Sequence, residues 1–439
     1  MMRSAEGTIS DLVPLMYRAR WLRSSLSGEV RSRRKRGGDG GYDELSGSLQ
    51  AGPGGLYRAD LVDEDGEREL SVCDEYSGRV PFPDLLVPSW LLAHFDLEVI
   101  GPADHAGRAA YAIAGQPRQA VGGTALCVSA LVDAELGVLL RYEETGPHGQ
   151  AQTAEFTSLT VGTAGSADPL PSPDLSDDQV NVLYRSALGP PQFAADLSEQ
   201  ADVRAMTRLT QSALAATELG RRTSWLWQSP ADPPPEDVSL TARLQVAMPD
   251  RYRIDAVTDP GTKPVTTACD GDRLWLVYPD RIAVRPAAPP PAGICVIVDS
   301  AWLLHEYPLS VEEAATESGR PALRVVAERT DKLARGPLSG TPIAADKVEV
   351  TVDVQLGVAL SQVWHLGGHP VSRTELSAVT PEVDLAAFRI EPPPGTRVIT
   401  GGLLAEAGLS PAGAAWTAAK GTAKLATEIG RRWARRPRP

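Results

Sequence analysis

Two carboxylate positions recur along the chain and are the first candidates for chemistry. Asp74 and Asp270 each follow a cysteine, and Asp133 and Asp353 each follow a valine at the end of an apolar run. Paired carboxylates could serve as general acid and general base. An aspartate at the start of a turn more often accepts hydrogen bonds from nearby backbone amides. Because these positions precede turn-like segments, we expect turn-forming aspartates rather than catalytic groups.

Arginine and histidine pairs could contact a ligand or a metal. Arg108 and Arg320 each follow a glycine. They could meet an anionic headgroup, or pair with an acid on an adjacent strand. His365 and His369 have a spacing that suits a shared metal only on a helix. The two glycines between them predict a hairpin turn instead, so we predict no metal and no cofactor.

The common enzyme signatures are missing from the sequence. It has no phosphate loop, no GxGxxG after a strand, no GxSxG elbow and no HExxH. Cys73 and Cys269 occupy recurring positions, and we expect both to be buried, reduced thiols. An enzyme that used these thiols or the recurring carboxylates is the least favoured of three functions considered. A protein without catalytic activity is favoured.

These residues recur because the chain contains one sequence pattern twice. The matches fall in the same order in both copies, which predicts a duplicated domain. The matched segments are 57–60 with 252–255, 73–74 with 269–270, 90–92 with 302–304, 107–108 with 319–320, 132–138 with 352–358, and 155–157 with 375–377. The predicted organisation is a reduced first copy over 1–166, a linker with a helix over 167–200, a second copy over 201–400 and a tail over 401–439.

Each copy is predicted to open with a helix and to continue as antiparallel strands. Apolar residues at helical spacing predict a helix over 9–23 and its counterpart over 206–220. A connecting helix is expected over 177–188, and 302–307 fits either a strand or a short helix. The basic, glycine-rich segment 31–41 is interpreted as a loop. Alternating apolar residues predict strands over 239–247, 252–257, 274–278, 281–285, 322–327, 348–354, 360–365 and 373–378.

Several motifs of the second copy carry a family resemblance. They are Gly-Arg-Pro-Ala at 319–322, Val-Asp at 352–353 with Leu-Gly-Val after it, the hairpin at 269–275, and the ending with Val-Asp at 383–384, Phe-Arg at 388–389 and Pro-Pro-Pro-Gly at 392–395. Together they resemble the LolA/LolB-like superfamily of lipoprotein carriers, which includes the RseB/MucB-type sensors and actinobacterial lipid-carrier lipoproteins.

The resemblance implies an α+β fold with two tandem LolA-like domains. Each would wrap a strongly curved antiparallel sheet, an unclosed barrel, over helices, with an apolar space that receives acyl chains. Members of the superfamily are exported, and this chain shows no export signal. The resemblance therefore implies a fold with an apolar cavity, not a role in lipoprotein trafficking.

A cavity of this kind would be lined mainly by aromatic and aliphatic side chains. Trp90 and Trp302 recur at equivalent positions, which favours shared architecture. Core packing is the alternative for every one of these residues. The predicted ligand-binding residues are Trp225, Trp227, Trp275, Trp302, Leu304 and Arg320.

The tail after residue 411 combines tryptophan, alanine and many basic residues at helical spacing, which predicts an amphipathic helix. A basic amphipathic helix is typical of attachment to an anionic membrane surface. The alternative is packing against acidic domains of the same chain. The residues predicted to contact a membrane or a partner are Trp416, Lys420, Lys424, Arg431, Arg432 and Trp433.

The composition is that of an ordinary soluble protein, with 42% hydrophobic and 23% charged residues. A net charge of −13 argues against nucleic acid as a partner. No segment approaches the roughly 20 apolar residues that span a bilayer, and residues 1–20 do not resemble a signal peptide. We expect a cytoplasmic protein, peripheral at the inner membrane face.

The leading hypothesis is binding of a lipid or other apolar small molecule. The alternative is a regulatory scaffold that binds another protein.

Overall fold

The structure is a computed structural model that describes parts of the chain between residues 8 and 400. The described residues are 8–19, 22, 24–35, 41–52, 57–73, 82–118, 127–146, 149–164, 175–185, 191–202, 237–257, 265–278, 281–287, 292–306, 309–317, 319–328 and 345–400. Two large sheets account for most of these residues. No helix within these ranges is long and apolar enough to cross a membrane.

The first sheet is antiparallel throughout and contains nine strands. They are β1 (Ser24–Lys35), β2 (Tyr42–Ala51), β3 (Tyr57–Asp63), β4 (Arg68–Cys73), β5 (Phe95–His105), β6 (Arg108–Pro117), β7 (Cys127–Asp133), β8 (Leu139–Gly146) and β9 (Gly149–Ala164). Their order is β4-β3-β2-β1-β9-β8-β7-β6-β5, so the first and last strands pair in the middle. Helix α1 (Ile9–Arg18) precedes the sheet, and α2 (Phe82–Leu86) and α3 (Ser89–His94) lie between β4 and β5.

The second sheet contains twelve strands. They are β10 (Gln192–Asp202), β11 (Asp237–Ala247), β12 (Arg251–Val257), β13 (Val265–Asp270), β14 (Arg273–Val277), β15 (Ile282–Pro286), β16 (Leu309–Glu317), β17 (Arg320–Glu328), β18 (Lys347–Asp353), β19 (Ala359–Leu366), β20 (His369–Thr380) and β21 (Val398–Thr400). Helix α4 (Asp177–Tyr184) precedes them, α5 (Ala292–Val298) and α6 (Leu303–Glu306) follow β15, and a 3₁₀ helix spans Leu385–Phe388.

Nine strands of each sheet follow the same order, which is the arrangement expected of the predicted internal duplication. The order β16-β17-β18-β19-β20-β10-β11-β12-β13 in the second sheet repeats the order from β5 to β4 in the first. Strands β14, β15 and β21 extend only the second sheet. The matched sequence segments lie on equivalent elements: the Trp-Leu-Leu segments in α3 and at the start of α6, and the Val-Asp segments at the ends of β7 and β18.

The two copies share one hydrophobic core. Helix α1 packs against α4, and α3 packs against α6. Leu12, Met16, Leu91, Leu183 and Leu304 from these helices are at most 2% exposed, and they join one cluster with side chains of the first sheet and of β16–β20. Burying each such side chain contributes roughly 1.5–3 kcal/mol. Because each helix meets its own counterpart, the contact has the approximate two-fold character of a homodimer interface.

The opening helices of the two copies begin in the same way. Asp11 accepts hydrogen bonds from the backbone N–H and the hydroxyl of Thr8, at 2.9 and 2.7 Å, and these bonds lower the pKa of Asp11. In α4 the Ser176 hydroxyl and the Gln179 side chain bond each other's backbone N–H. Both arrangements satisfy amides that a helix start leaves unpaired. Pro14 is the sixth residue of α1 and has no N–H to donate to the Ser10 carbonyl; that carbonyl accepts a hydrogen bond from Nδ2 of Asn181 at 2.9 Å instead.

The predicted α+β class is wrong. The described chain is mostly β, with two large antiparallel sheets rather than sheets that each wrap a helical layer. The described helices are short, from four residues in α6 to ten in α1. They fill the core between the two copies, where single turns are enough to bury a few leucines. A helical layer was predicted from the family resemblance and from the helical pattern of residues 206–220, which lie outside the described residues.

Most predicted strands are present, and the differences have simple causes. Residues 31–35, interpreted as a loop from their basic composition, continue β1. Alternation accounts for this, because Val30 and Ser32 are buried while Arg31 and Arg33 are exposed and pair with Glu44 on β2. The 302–307 segment contains α6. In the second copy α4 takes the place equivalent to α1. Residues 206–220, predicted to form that counterpart, lie outside the described residues.

Gly137 is expected to tolerate alanine poorly. Its φ is 73°, and an added Cβ would lie 2.4 Å from the Leu15 carbonyl oxygen of α1. Gly107 has φ 74° and nothing within 4 Å of such an atom, so Gly107→Ala measures the backbone strain alone, about 1–2 kcal/mol. Gly137→Ala should cost about 1–3 kcal/mol more because backbone must move. Urea unfolding of both variants tests this, and equal losses would contradict the close packing of α1 on the β7–β8 turn.

Candidate functional site

The recurring carboxylates serve the fold in both copies. Asp133 and Asp353 are 0% exposed and form ion pairs with Arg108 and Arg320 of the neighbouring strand. Oδ1 of Asp133 also accepts the N–H groups of residues 135 and 136, both at 2.9 Å, and Oδ1 of Asp353 accepts those of 355 and 356 at 2.8 and 2.9 Å. These aspartates hold the turn after β7 and after β18.

Asp270 has the same kind of role at another turn. Its Oδ1 accepts the N–H groups of Asp272 and Arg273 at 3.0 and 2.8 Å. Burial opposes ionisation of this carboxyl, but the hydrogen bonds outweigh it and leave the pKa of Asp270 lowered. Its counterpart Asp74 lies outside the described residues. The described carboxylates are therefore turn-forming, as their position before turns indicates.

The predicted ligand-binding residues that the structure describes do not form one site. Trp302 and Leu304 lie in the shared core, 8% and 0% exposed, and Trp302 stacks on Trp364 with ring centroids 5.3 Å apart. Trp275 belongs to a separate cluster beside β15. Arg320 is on the β16–β17 hairpin in its ion pair. Trp225 and Trp227 lie outside the described residues, as do all six predicted tail contacts.

The two recurring tryptophans have the same architectural contact. The indole N–H of Trp90 donates to the Asp84 carbonyl at 3.2 Å, and that of Trp302 donates to the Val296 carbonyl at 3.4 Å. Each bond ties the start of one short helix to the helix before it. His365 and His369 lie across the β19–β20 hairpin, as the two glycines between them predict. Within the described ranges no group of three metal-binding side chains comes together.

A buried polar cluster joins the two copies, and sequence reasoning did not find it. We call Arg118, Asp299, Tyr184, Arg185 and His94 the junction cluster. Nη1 of Arg118 donates to Oδ1 of Asp299 at 2.9 Å, and their side chains are 8% and 18% exposed. The Arg118 residue follows β6 of the first copy, whereas Asp299 follows α5 of the second. The pair therefore crosses the interface between copies.

The remaining donors of Arg118 are also engaged. Nε donates to the Phe95 carbonyl at 3.1 Å and Nη2 to the Tyr184 carbonyl at 3.0 Å. The guanidinium lies 4.4 Å from the centre of the Tyr184 ring. Burial alone would lower the pKa of Arg118, but the charge of Asp299 outweighs it and keeps the pKa raised. A guanidinium this fully bonded acts as a fixed joint rather than as a ligand-binding group.

Arg185 is the second cation of the junction cluster. It follows α4 in the left-handed conformation, with φ 66°, and Nη1 donates to the Leu356 carbonyl in the turn after β18. Burial lowers the pKa of Arg185 to about 10, against the opposing charge of Asp299. The charge of Asp299 thus favours two buried cations. The equivalent position of the first copy holds Val87, so this acid belongs to the second copy alone.

His94 is the histidine of this cluster. Its buried Nε2 atom has no hydrogen-bond partner within the described structure. The ring lies 6.4 Å from that of His305, whose Nδ1 is 3.2 Å from the Ser89 hydroxyl. Burial lowers the pKa of His94; Asp299 opposes this shift and Arg118 adds to it.

The lowered pKa of His94 predicts that acid loosens the junction. Between the folded pKa and the unfolded value near 6.5, the unfolded chain binds more protons, so stability falls as pH falls through this window. His94→Leu should remove this component. We expect the stability of wild type relative to His94→Leu to decrease when urea unfolding is measured from pH 7.5 down to 5.5. The matched control is His369→Leu on the exposed hairpin, and a wild-type curve parallel to that of His94→Leu would contradict the prediction.

Comparisons with known proteins place the chain near several solved structures at low similarity. No protein-family model matches the sequence, and no curated protein matches it. An uncharacterised conserved protein from Thermus thermophilus is 10% identical, with a TM-score of 0.28, over 51% of this chain and 96% of that one. The MucA/MucB complex of Pseudomonas aeruginosa gives 15% identity and a TM-score of 0.26, over 85% of this chain and 99% of that one.

A lipoprotein-sorting domain is also similar. The putative outer membrane lipoprotein-sorting protein domain from Vibrio parahaemolyticus is 10% identical, with a TM-score of 0.14, over 39% of this chain and 95% of that one. MucB and lipoprotein-sorting domains are the kinds of protein that the sequence resembles. At these identities the likeness concerns the fold alone.

Proposed function

We propose that this chain is a non-enzymatic scaffold that binds another protein. One observation supports this proposal: the described side chains that were predicted to do chemistry or to bind a ligand already make structural contacts within the fold. Asp133 and Asp353 hold turns through buried ion pairs. An acid or base in catalysis must be free to exchange a proton with substrate, and these carboxylates are fixed by their arginine and amide partners.

Packing of the core favours a protein partner over an apolar small molecule. The family resemblance implied an apolar space between each sheet and its helices. Here side chains of α1, α3, α4 and α6 lie in that space and form a single cluster with both sheets. The ring of Trp302, a residue predicted to contact a ligand, stacks on that of Trp364. Partners of a scaffold would then contact the outer surfaces of the sheets.

The predicted tail helix is part of the proposal. Residues 401–439 lie outside the described structure. They contain the basic residues of the predicted tail helix, whereas the chain as a whole is acidic. Trp416, Lys420, Lys424, Arg431, Arg432 and Trp433 would hold the scaffold at an anionic membrane surface. Under this proposal the protein acts at the cytoplasmic face of a membrane.

The intact mass of the protein purified from its native host tests the proposal. The mass of the chain itself should be the same in native and denaturing spectra. The native spectrum should also contain a heavier species in which the chain is bound to a second polypeptide. Solvent extraction should yield no stoichiometric small molecule. A lipid-like molecule lost on denaturation would overturn the scaffold proposal and support the predicted binding of an apolar ligand.

A further inference from the structure

The two sheets differ at the edge that β4 forms. In the second sheet the equivalent strand, β13, pairs with β14, and β15 and β21 follow. In the first sheet β4 is the last strand of the order, and within the described residues no strand pairs with its outer side. The outer side of β4 therefore has the unpaired backbone N–H and C=O groups of an edge strand, which can pair with a further strand.

The chain after β4 is too short to repeat the arrangement of the second copy. There the 21 residues 271–291 contain β14 and β15, with five residues each. The first copy has only the eight residues 74–81 between β4 and α2. Two strands of the length of β14 and β15 need ten residues before any turn is counted. The first copy therefore cannot supply an equivalent pair of strands from its own sequence at this place.

The other three edges of the two described sheets have features that hinder pairing. On β5 the Tyr184 hydroxyl accepts the N–H of Leu97 and donates to the Phe95 carbonyl, both at 2.9 Å. The same strand has a β-bulge at Ile100 and contains Pro102. Strand β16 also has a bulge, and β21 has only three residues. Bulges, prolines, short strands and covering groups are the usual protection of sheet edges.

Strand β4 has none of these protective features. Its six residues pair with β3 from Cys73, opposite Tyr57, to Arg68, opposite Val62, without a register shift. The strand contains no proline. A regular edge of this kind is the structure to which an extended peptide adds as a further strand.

The strand that covers β13 indicates which kind of segment fits the edge of β4. Strand β14 is antiparallel to β13, with Leu274 opposite Cys269. Leu274 lies with Tyr252 and Cys269 in one buried cluster, and Leu276 packs against that cluster. The first copy repeats Tyr252 as Tyr57, which is 5% exposed and belongs to the shared core. A segment on β4 would therefore direct apolar side chains at alternate positions toward this core.

The opposite face of β3 determines the remaining positions of the segment. Arg58 and Asp60 on that face are exposed. Side chains of a bound segment on the same face would lie beside these charges and in contact with water. They would therefore be polar, as on a strand with one solvated face.

We infer that the outer edge of β4 is the docking site for an extended segment of the partner protein, which adds to the first sheet as an antiparallel strand. This inference rests on the proposed scaffold function and specifies the form of the partner. The segment would have about five residues, as β14 has, with apolar and polar residues in alternation and no proline. Main-chain hydrogen bonds to β4 would provide affinity, and the alternate apolar side chains would provide specificity.

A peptide of residues 270–278 in which threonine replaces Trp275 and Val277 is the first probe. It should bind the full-length protein and slow hydrogen exchange of the β4 amides, measured by mass spectrometry, with no change in β5 or β16. The same peptide with Leu276→Pro should not bind. Absence of binding, or slowed exchange confined to other strands, would overturn the inference. Protection of the β4 amides in the free protein, by another segment or by a second copy of the chain, would also overturn it.

Methylation of the peptide backbone distinguishes strand pairing from apolar adhesion. Neighbouring residues of a strand direct their N–H groups to opposite sides. N-methyl groups at positions 274 and 276, or alternatively at 275 and 277, therefore block opposite edges of the bound peptide. One of these two peptides should lose binding and the other should retain it. Equal binding by both peptides, or loss of binding by both, would contradict the addition of a strand.

Proline substitutions in β4 test the same edge from the protein side. The N–H groups of Ser71 and Val72 point to opposite sides of the strand, and proline is tolerated where the N–H faces away from the neighbouring strand. One of Ser71→Pro and Val72→Pro should therefore keep the wild-type free energy of unfolding and bind the peptide about tenfold more weakly, equivalent to about 1.4 kcal/mol. The matched control is Ile100→Pro, in the bulge at the opposite edge of the sheet, which should leave binding unchanged. Wild-type binding by a stably folded variant at each β4 position would refute the docking site.

The native complex separates failure of this docking site from failure of the scaffold proposal. If a partner co-purifies and leaves hydrogen exchange of the β4 amides unchanged, the scaffold function stands and the docking site is wrong. If the native host yields a lipid and no polypeptide partner, the scaffold function itself fails. A polypeptide partner that protects the β4 amides, and is displaced by the peptide, supports both.

Discussion

Replacement of Arg118 by alanine is expected to lower the free energy of unfolding by about 3–5 kcal/mol, the usual cost of breaking a buried ion pair on one side. The substitution leaves Asp299, 18% exposed, without its 2.9 Å partner. It also removes the donors that satisfy the Phe95 and Tyr184 carbonyls. Because these groups come from both copies, the loss should appear in the unfolding of the whole described structure, measured by urea denaturation.

The exposed pair between Arg243 and Asp196 is the matched control. Its side chains are 42% and 57% exposed at an N–O distance of 2.9 Å, so Arg243→Ala should cost about 0–1 kcal/mol. The double variant Arg118→Ala with Asp299→Ala should cost less than the sum of its single variants, because no buried charge is left alone. Similar small losses for Arg118→Ala and Arg243→Ala would show that the junction cluster contributes little to stability.

Asp133→Ala and Asp353→Ala are each expected to cost about 3–5 kcal/mol. Each change leaves a partly buried arginine, Arg108 or Arg320, without its partner and frees two backbone amides in a tight turn. Because the contacts are the same in both copies, the two losses should agree within about 1 kcal/mol. Urea unfolding of both variants provides the comparison.

Asp63 gives the control for turn formation without an ion pair. Its Oδ1 accepts the N–H groups of Asp65 and Glu67 at 3.0 and 2.8 Å, in an exposed turn. Asp63→Ala should therefore cost only about 1 kcal/mol, typical of a net hydrogen-bond contribution. If Asp133→Ala costs no more than Asp63→Ala, the buried ion pair has no stabilising role. If only one of the two substitutions lowers the free energy of unfolding, the two turns contribute differently to stability although their geometry is the same.

Alternation and recurrence were enough to predict most strands and the duplication. Polar and apolar residues alternate from 239 to 247, and β11 lies there because one face of the strand is buried. The same rule missed residues 31–35. The residue on their inner face is Ser32, and the residues on their outer face have long basic side chains. This composition is typical of a loop, and only the pairing with Glu44 on β2 explains why it forms a strand.

Sequence could not reveal the junction cluster, because its members come from different elements with no local spacing. Arg118 and Asp299 are far apart in the chain, and each looks like an ordinary surface charge in its own segment. One signal was available. Asp299 stands where the first copy has Val87, and Ala112 stands where the second has Arg324. Differences between aligned copies point to what each copy does alone, whereas similarities point to shared architecture.

The pairing of first and last strands in the middle of each sheet has a consequence for how the chain folds. Every other neighbouring pair from β1 to β9 is a meander of strands adjacent in sequence, but β1 meets β9 only after the intervening chain has looped back. Closing a long loop costs conformational entropy before its contacts can compensate. We expect the two outer meanders of each sheet to form early and the central seam to form last. The β1–β9 and β10–β20 seams would then set the folding rate, and exposed strands beside an unformed seam would be the point at which newly made chains aggregate.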